Sequence, residues 1–100
     1  MMNNILANDI RNQLQAKRNH ITWKQFNHCN AYTAYEKITV TIGDTDYTVT
    51  PIRSYETIVA FEYDGTVYEI GKYSRTTSKQ VTQITNKLGC SRKFYGRIWC

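Results

Sequence analysis

A chain of 100 residues with 41% hydrophobic side chains has room for one hydrophobic core, so residues 1–100 read as a single domain. Its apolar runs are a few residues long against the roughly 20 that span a bilayer, and no charged-then-apolar leader opens it, which predicts a soluble, unexported protein with no membrane partner. The net charge of +5 is uneven: residues 36–71 carry seven acidic and two basic side chains, residues 72–100 carry seven basic and no acidic ones, and a segment without carboxylates favours nucleic acid or an acidic protein surface unless the acidic middle pairs with it.

Asn3 or Asn4 can cap a first helix, since a short side-chain oxygen accepts from a free amide at a helix start. Leu6, Ile10 and Leu14 recur every four residues with Ile5 and Ala7 beside them, while Arg11, Gln13, Gln15, Lys17 and Arg18 stay polar. This predicts an amphipathic helix ending near Asn19. Residues 20–35 have no clean period and hold Trp23, Phe26, Tyr32 and Tyr35; they read as an irregular aromatic segment packed over a sheet edge, with stacking on bases as the alternative.

From Lys37 the period changes to two. A two-residue loop at Gly43-Asp44 sets Ile42 opposite Thr45, Val40 opposite Tyr47 and Ile38 opposite Val49, keeping the apolar set on one face. Pro51 cannot donate to a ladder, so this strand is expected to end there or to lie at an edge. A second hairpin joins Thr57–Tyr63 to Thr66–Ile70 through Asp64-Gly65, a pair suited to a type I′ turn, and its register places Val59, Phe61, Tyr68 and Ile70 on one face. The expected fold class is therefore α+β: an N-terminal helix, a four-stranded antiparallel meander with helices over one face, a C-terminal helix, and a short basic aromatic tail.

In that C-terminal helix, Thr77 with Gln80 has the capping-box pattern, Val81, Ile84 and Leu88 form the inward stripe, and Gly89 suits the left-handed residue after the last turn. The tail from Cys90 to Cys100 mixes Arg92, Lys93 and Arg97 with Phe94, Tyr95, Ile98 and Trp99, too aromatic for a plain disordered tail; the expectation is a short added strand, a clamp against the helices, or a segment that folds only on a partner. Cys29, Cys90 and Cys100, with His20 and His28, form no Cys-x-x-Cys or His-x3-His pair. Free thiols in a reducing compartment are expected, with neither a metal nor any other cofactor.

One junction carries the candidate chemistry. Lys72, Ser74, Arg75, Thr76, Thr77, Ser78 and Lys79 lead into a helix whose first amides are unpaired and partly positive, where cations are normally disfavoured. A bound phosphate or carboxylate would resolve that conflict; the plain alternative is hydroxyl capping with the cations in water. No nucleophile motif, glycine-rich phosphate loop or paired-carboxylate arrangement points to an enzyme.

The segments Ser54-Tyr55-Glu56-Thr57-Ile58-Val59-Ala60 and Tyr73-Ser74-Arg75-Thr76-Thr77-Ser78-Lys79-Gln80-Val81 resemble a domain of small uncharacterised proteins from bacteriophages and mobile elements of Gram-positive bacteria. In that family an S-Y-x-T-x-V-A segment precedes Y-S-x-T-T-S-K/R-H, and Gln80 stands where histidine is frequent. The resemblance implies a phage or mobile-element protein in the cytoplasm of a bacterial host, with no activity assigned. The resemblance and the charge of the chain together leave three expectations: a non-enzymatic phage or mobile-element protein that binds a host or phage protein complex, such as an anti-CRISPR inhibitor of a host nucleic-acid-targeting defence; on its basic C-terminal third, a direct nucleic-acid binder using Lys72, Arg75, Lys79, Lys87, Arg92, Lys93 and Arg97 with Tyr95 or Trp99 for stacking; or a minor virion or assembly protein.

Overall fold

The computed structural model describes residues 2–26, 31–70 and 75–95, with side chains for all of these except residues 75–80, 92, 94 and 95. Helix α1 runs Asn4–Lys17, and the Asn3 side chain caps it by accepting from the Leu6 amide at 2.8 Å. Ala7, Ile10 and Leu14 are fully buried, as their spacing requires. The polar flank does more than face water. Arg11 Nε donates to the Ile58 carbonyl at 2.8 Å, Gln13 donates to the Thr41 carbonyl at 3.0 Å, and Gln15 both donates to the Glu56 carbonyl at 2.9 Å and accepts from the Ile58 amide at 2.7 Å. These bonds pin the helix across two strands of the sheet.

Among the described residues that sheet has seven strands: β1 Trp23–Phe26, β2 Ala31–Ala34, β3 Ile38–Ile42, β4 Thr45–Ser54, β5 Thr57–Tyr63, β6 Thr66–Ile70 and β7 Ser91–Tyr95, with helix α2, Arg75–Leu88, between the last two. The order is β1-β2-β4-β5-β6-β7, with β3 also on β4. The expected meander β3-β4-β5-β6 is present, and the β3–β4 register matches the reading residue for residue, from Ile38 opposite Val49 to Ile42 opposite Thr45. Asp64 and Gly65 both take positive φ (51° and 80°), as a type I′ turn demands.

The architecture departs from the expectation at four points. Residues 20–35 are not irregular: β1 and β2 form an antiparallel hairpin with Trp23 opposite Ala34 and Phe26 opposite Ala31. The C-terminal tail takes one of the forms expected of it, a short strand, but this β7 lies beyond the four-stranded meander and runs parallel to β6 from Ser91 beside Thr66 to Tyr95 beside Ile70, so β6, α2 and β7 make a βαβ unit. Pro51 does not end β4. It lies between the stretch of β4 that pairs β3, ending at Val49, and the stretch that pairs β2, starting at Ile52, where β4 changes neighbours on that side. The fourth departure is a bulge: Ile52 pairs Ala60 while Arg53 pairs Ile58, leaving Val59 as the extra residue.

The bulge redistributes the core. Phe61, Tyr68 and Ile70 pack with α1 as expected, but Ile58 takes the place read for Val59 there. Val59 turns instead to a second cluster with Ala31, Ile52, Ala60 and Val67, covered by Val81 and Ile84 of α2. Helices therefore cover both faces of the sheet, not one. The two sequence motifs meet in this second cluster, Val59 and Ala60 from the first lying with Val81 from the other; part of their pattern is thus core packing.

Candidate partner-binding surface

Helix α2 begins at Arg75, three residues before the start at Ser78 that the Thr77–Gln80 capping pattern implies. Thr77 is therefore inside the first turn rather than the cap. Along the backbone Arg75, Thr76, Thr77, Ser78 and Lys79 occupy the first turns of α2, while Lys72 and Ser74 lie outside the described residues, as do Arg97, Trp99, Cys29 and Cys100. Antiparallel pairing of β5 with β6 brings the Tyr55-Glu56 turn to the sheet end where α2 starts.

At its other end α2 is closed by a Schellman motif. The Cys90 amide donates to the Thr85 carbonyl and the Gly89 amide to the Asn86 carbonyl, both at 3.2 Å, with Gly89 at φ 69°. The last turn carries Lys87, favourably placed near the partly negative carbonyl end. Lys93 is exposed on β7; Arg92 and Tyr95 hold their places in the parallel ladder beside Val67 and Ile70.

The acidic middle is partly withdrawn from the surface. Glu62 is 8% exposed, accepting from Lys37 Nζ at 3.3 Å, Thr50 Oγ1 at 3.2 Å and the Gly65 amide at 3.0 Å. Burial alone would raise its pKa; the Gly65 amide, the Lys37 charge and the two side-chain bonds outweigh burial and hold the carboxyl below its ordinary value. Glu69 is 2% exposed. Glu56 bridges Arg18 at 3.8 Å and Arg53 at 3.6 Å, and the Arg53 guanidinium lies over both the Trp23 and Tyr32 rings, 4.9 Å and 4.2 Å from their centroids.

Two concavities stand out. One, about 280 Å³, is lined by His20, Tyr35 and Glu36 with Ile21, Thr22 and Ile38. The other, about 240 Å³, lies between α2 and the β1–β2 hairpin, lined by Phe26, Thr33, Ile84 and Leu88 with Lys24 and Lys87. Lys24 and Phe26 escaped notice as site residues because the β1–β2 hairpin gave no alternating signal. The Cys90 thiol has its pKa raised by burial and by the Glu62 charge, against a smaller opposing pull from Lys37, which keeps it protonated and a poor nucleophile. Among the described residues no group of three His, Cys, Asp or Glu side chains gathers as a metal site.

The fold thus defines an α+β protein with a mixed sheet between two helices, and among the described residues no helix is long and apolar enough to cross a membrane. No protein-family model, curated protein or solved structure matches the chain.

Proposed function

We propose that this chain is a non-enzymatic binding protein that acts by occupying the surface of a macromolecular partner through its α2–β7 side. The supporting observation is the distribution of charge. Residues 75–95 carry five cations, Arg75, Lys79, Lys87, Arg92 and Lys93, and no carboxylate, while Glu62 and Glu69 are buried and Glu56 is engaged by Arg18 and Arg53. A segment with this balance of charge steers an acidic partner toward it. The motif resemblance favours a phage or mobile-element protein working in the cytoplasm of a bacterial host, with inhibition of a nucleic-acid-targeting defence, as an anti-CRISPR protein would do, as the form of the activity.

The same cations also favour a direct nucleic-acid contact as the second reading. Capture of partners from a host lysate, with and without nuclease, separates the two. A stoichiometric protein partner retained after nuclease is the expected result; retention lost to nuclease, with affinity falling steeply with salt, would replace the first reading by the second. Failure to retain any partner, together with no nucleic-acid binding at low salt, would refute both.

A further inference from the structure

The groove between α2 and the β1–β2 hairpin has the size of one side chain. Its volume of about 240 Å³ exceeds the ~150 Å³ that accepts a benzene ring and falls short of the ~300 Å³ at which small-molecule sites begin. Its walls are set by regular structure: Thr33 pairs both with Lys24 on β1 and with Ile52 on β4, Ile84 belongs to the core, and the helix end is fixed by the Schellman motif. A preformed cleft loses little entropy when filled. At its rim Leu88 is 46% exposed, the last residue of the apolar stripe of α2.

The charge at the groove is of one sign. Lys24 and Lys87 are both exposed, and among the described residues neither makes an ion pair and no carboxylate lines the cleft. We propose that this groove docks an acidic segment of a protein partner, with one large apolar side chain seated on Phe26, Ile84 and Leu88 and flanking carboxylates meeting Lys24 and Lys87. The proposal rests on the reading of the chain as a binding protein and names the chemistry of its partner. Peptide is favoured over single-stranded nucleic acid because base stacking needs open aromatic platforms, whereas Phe26 is half-buried and the remaining apolar wall is aliphatic.

The test is fluorescence anisotropy with a short labelled peptide bearing a central Phe among Glu residues. Three comparison probes accompany it: the same peptide with Ala for Phe, the same with Lys for Glu, and a single-stranded oligonucleotide of equal negative charge. The acidic Phe peptide should bind at low salt, the Ala peptide about tenfold more weakly and the Lys peptide not at all. The double variant Lys24→Glu with Lys87→Glu, both exposed and therefore compatible with folding, should lose roughly tenfold or more in affinity, with an unchanged circular-dichroism spectrum. No binding of the acidic Phe peptide, equal binding of the Ala peptide, parental affinity in the double variant, or tighter binding of the oligonucleotide would each overturn the proposal. If the double variant still retains a nuclease-resistant partner from lysate as the parent does, the groove assignment falls and the broader binding reading stands.

Discussion

Tyr55 sits at the tip of the β4–β5 hairpin with φ 54° and 60% exposure. A side chain with a Cβ costs about 1–2 kcal/mol in the left-handed region, and Asn carries much less of that cost because it adopts the region readily. The turn is held from outside: Arg53 donates to the Tyr55 carbonyl at 2.7 Å, and that guanidinium is itself fixed over Trp23 and Tyr32. Tyr55→Asn should relieve most of the backbone cost and lose the part-buried ring, worth about 0.5–1 kcal/mol at this exposure. The net gain is about 0.5–1 kcal/mol, or a Tm higher by about 2–8 °C for a domain of this size. Tyr55→Ala supplies the contrast, since it keeps the strain, loses the ring and should lower Tm. Thermal unfolding followed by circular dichroism reads both. Equal shifts for Asn and Ala would show that the backbone of this turn stores no strain and would refute the reasoning.

Glu62 makes an acid-sensitive contribution. Its pKa is lowered on folding, so its stabilisation is complete above the unfolded carboxylate value of about 4.3 and is lost as pH falls through the lower folded value. Urea midpoints measured across that range should show Glu62→Gln costing about 1–2 kcal/mol at neutral pH and converging on the parent in acid. Asn8 is 8% exposed with an unpartnered Oδ1, and Asn8→Leu should stabilise by about 1 kcal/mol in chemical denaturation, through relief of that acceptor and better helix propensity. Thr77→Ala lies within α2 and should change stability by less than about 0.5 kcal/mol, whereas a residue capping the helix would cost about 1 kcal/mol.

The four strands of the meander were legible because each carried its own local rule. Ile38, Val40 and Ile42 alternate, Gly43-Asp44 and Asp64-Gly65 fix the loops, and Asn3 and Gly89 mark helix ends. The bulge at Val59 has no such mark, because its extra residue is an ordinary β-branched side chain. The run Ile58-Val59-Ala60-Phe61, buried throughout, does carry the signature of a strand covered on both faces, and α2 supplies the second cover. The strands β1 and β2 are only four residues long and do not alternate: their end residues are less exposed than their middle ones, intermediate-exposed-exposed-intermediate in β1 and buried-intermediate-intermediate-buried in β2. The parallel pairing of β7 with β6 joins residues about one helix apart, beyond any short-range pattern. The candidate groove was illegible for the same reason, since Lys24 and Lys87 meet only once the β1–β2 hairpin lies under α2.

The central claim is that recognition runs through the α2 side of the sheet and leaves the α1 side free. Hydrogen exchange of the full chain, alone and bound to the partner retained after nuclease treatment, measures this directly. Slowed exchange concentrated in residues 75–95 and in β1 and β2, with α1 and the β3–β4 hairpin unchanged, is the predicted footprint. Protection confined to α1 or the β3–β4 hairpin, with α2 exchanging as in the free protein, would contradict it.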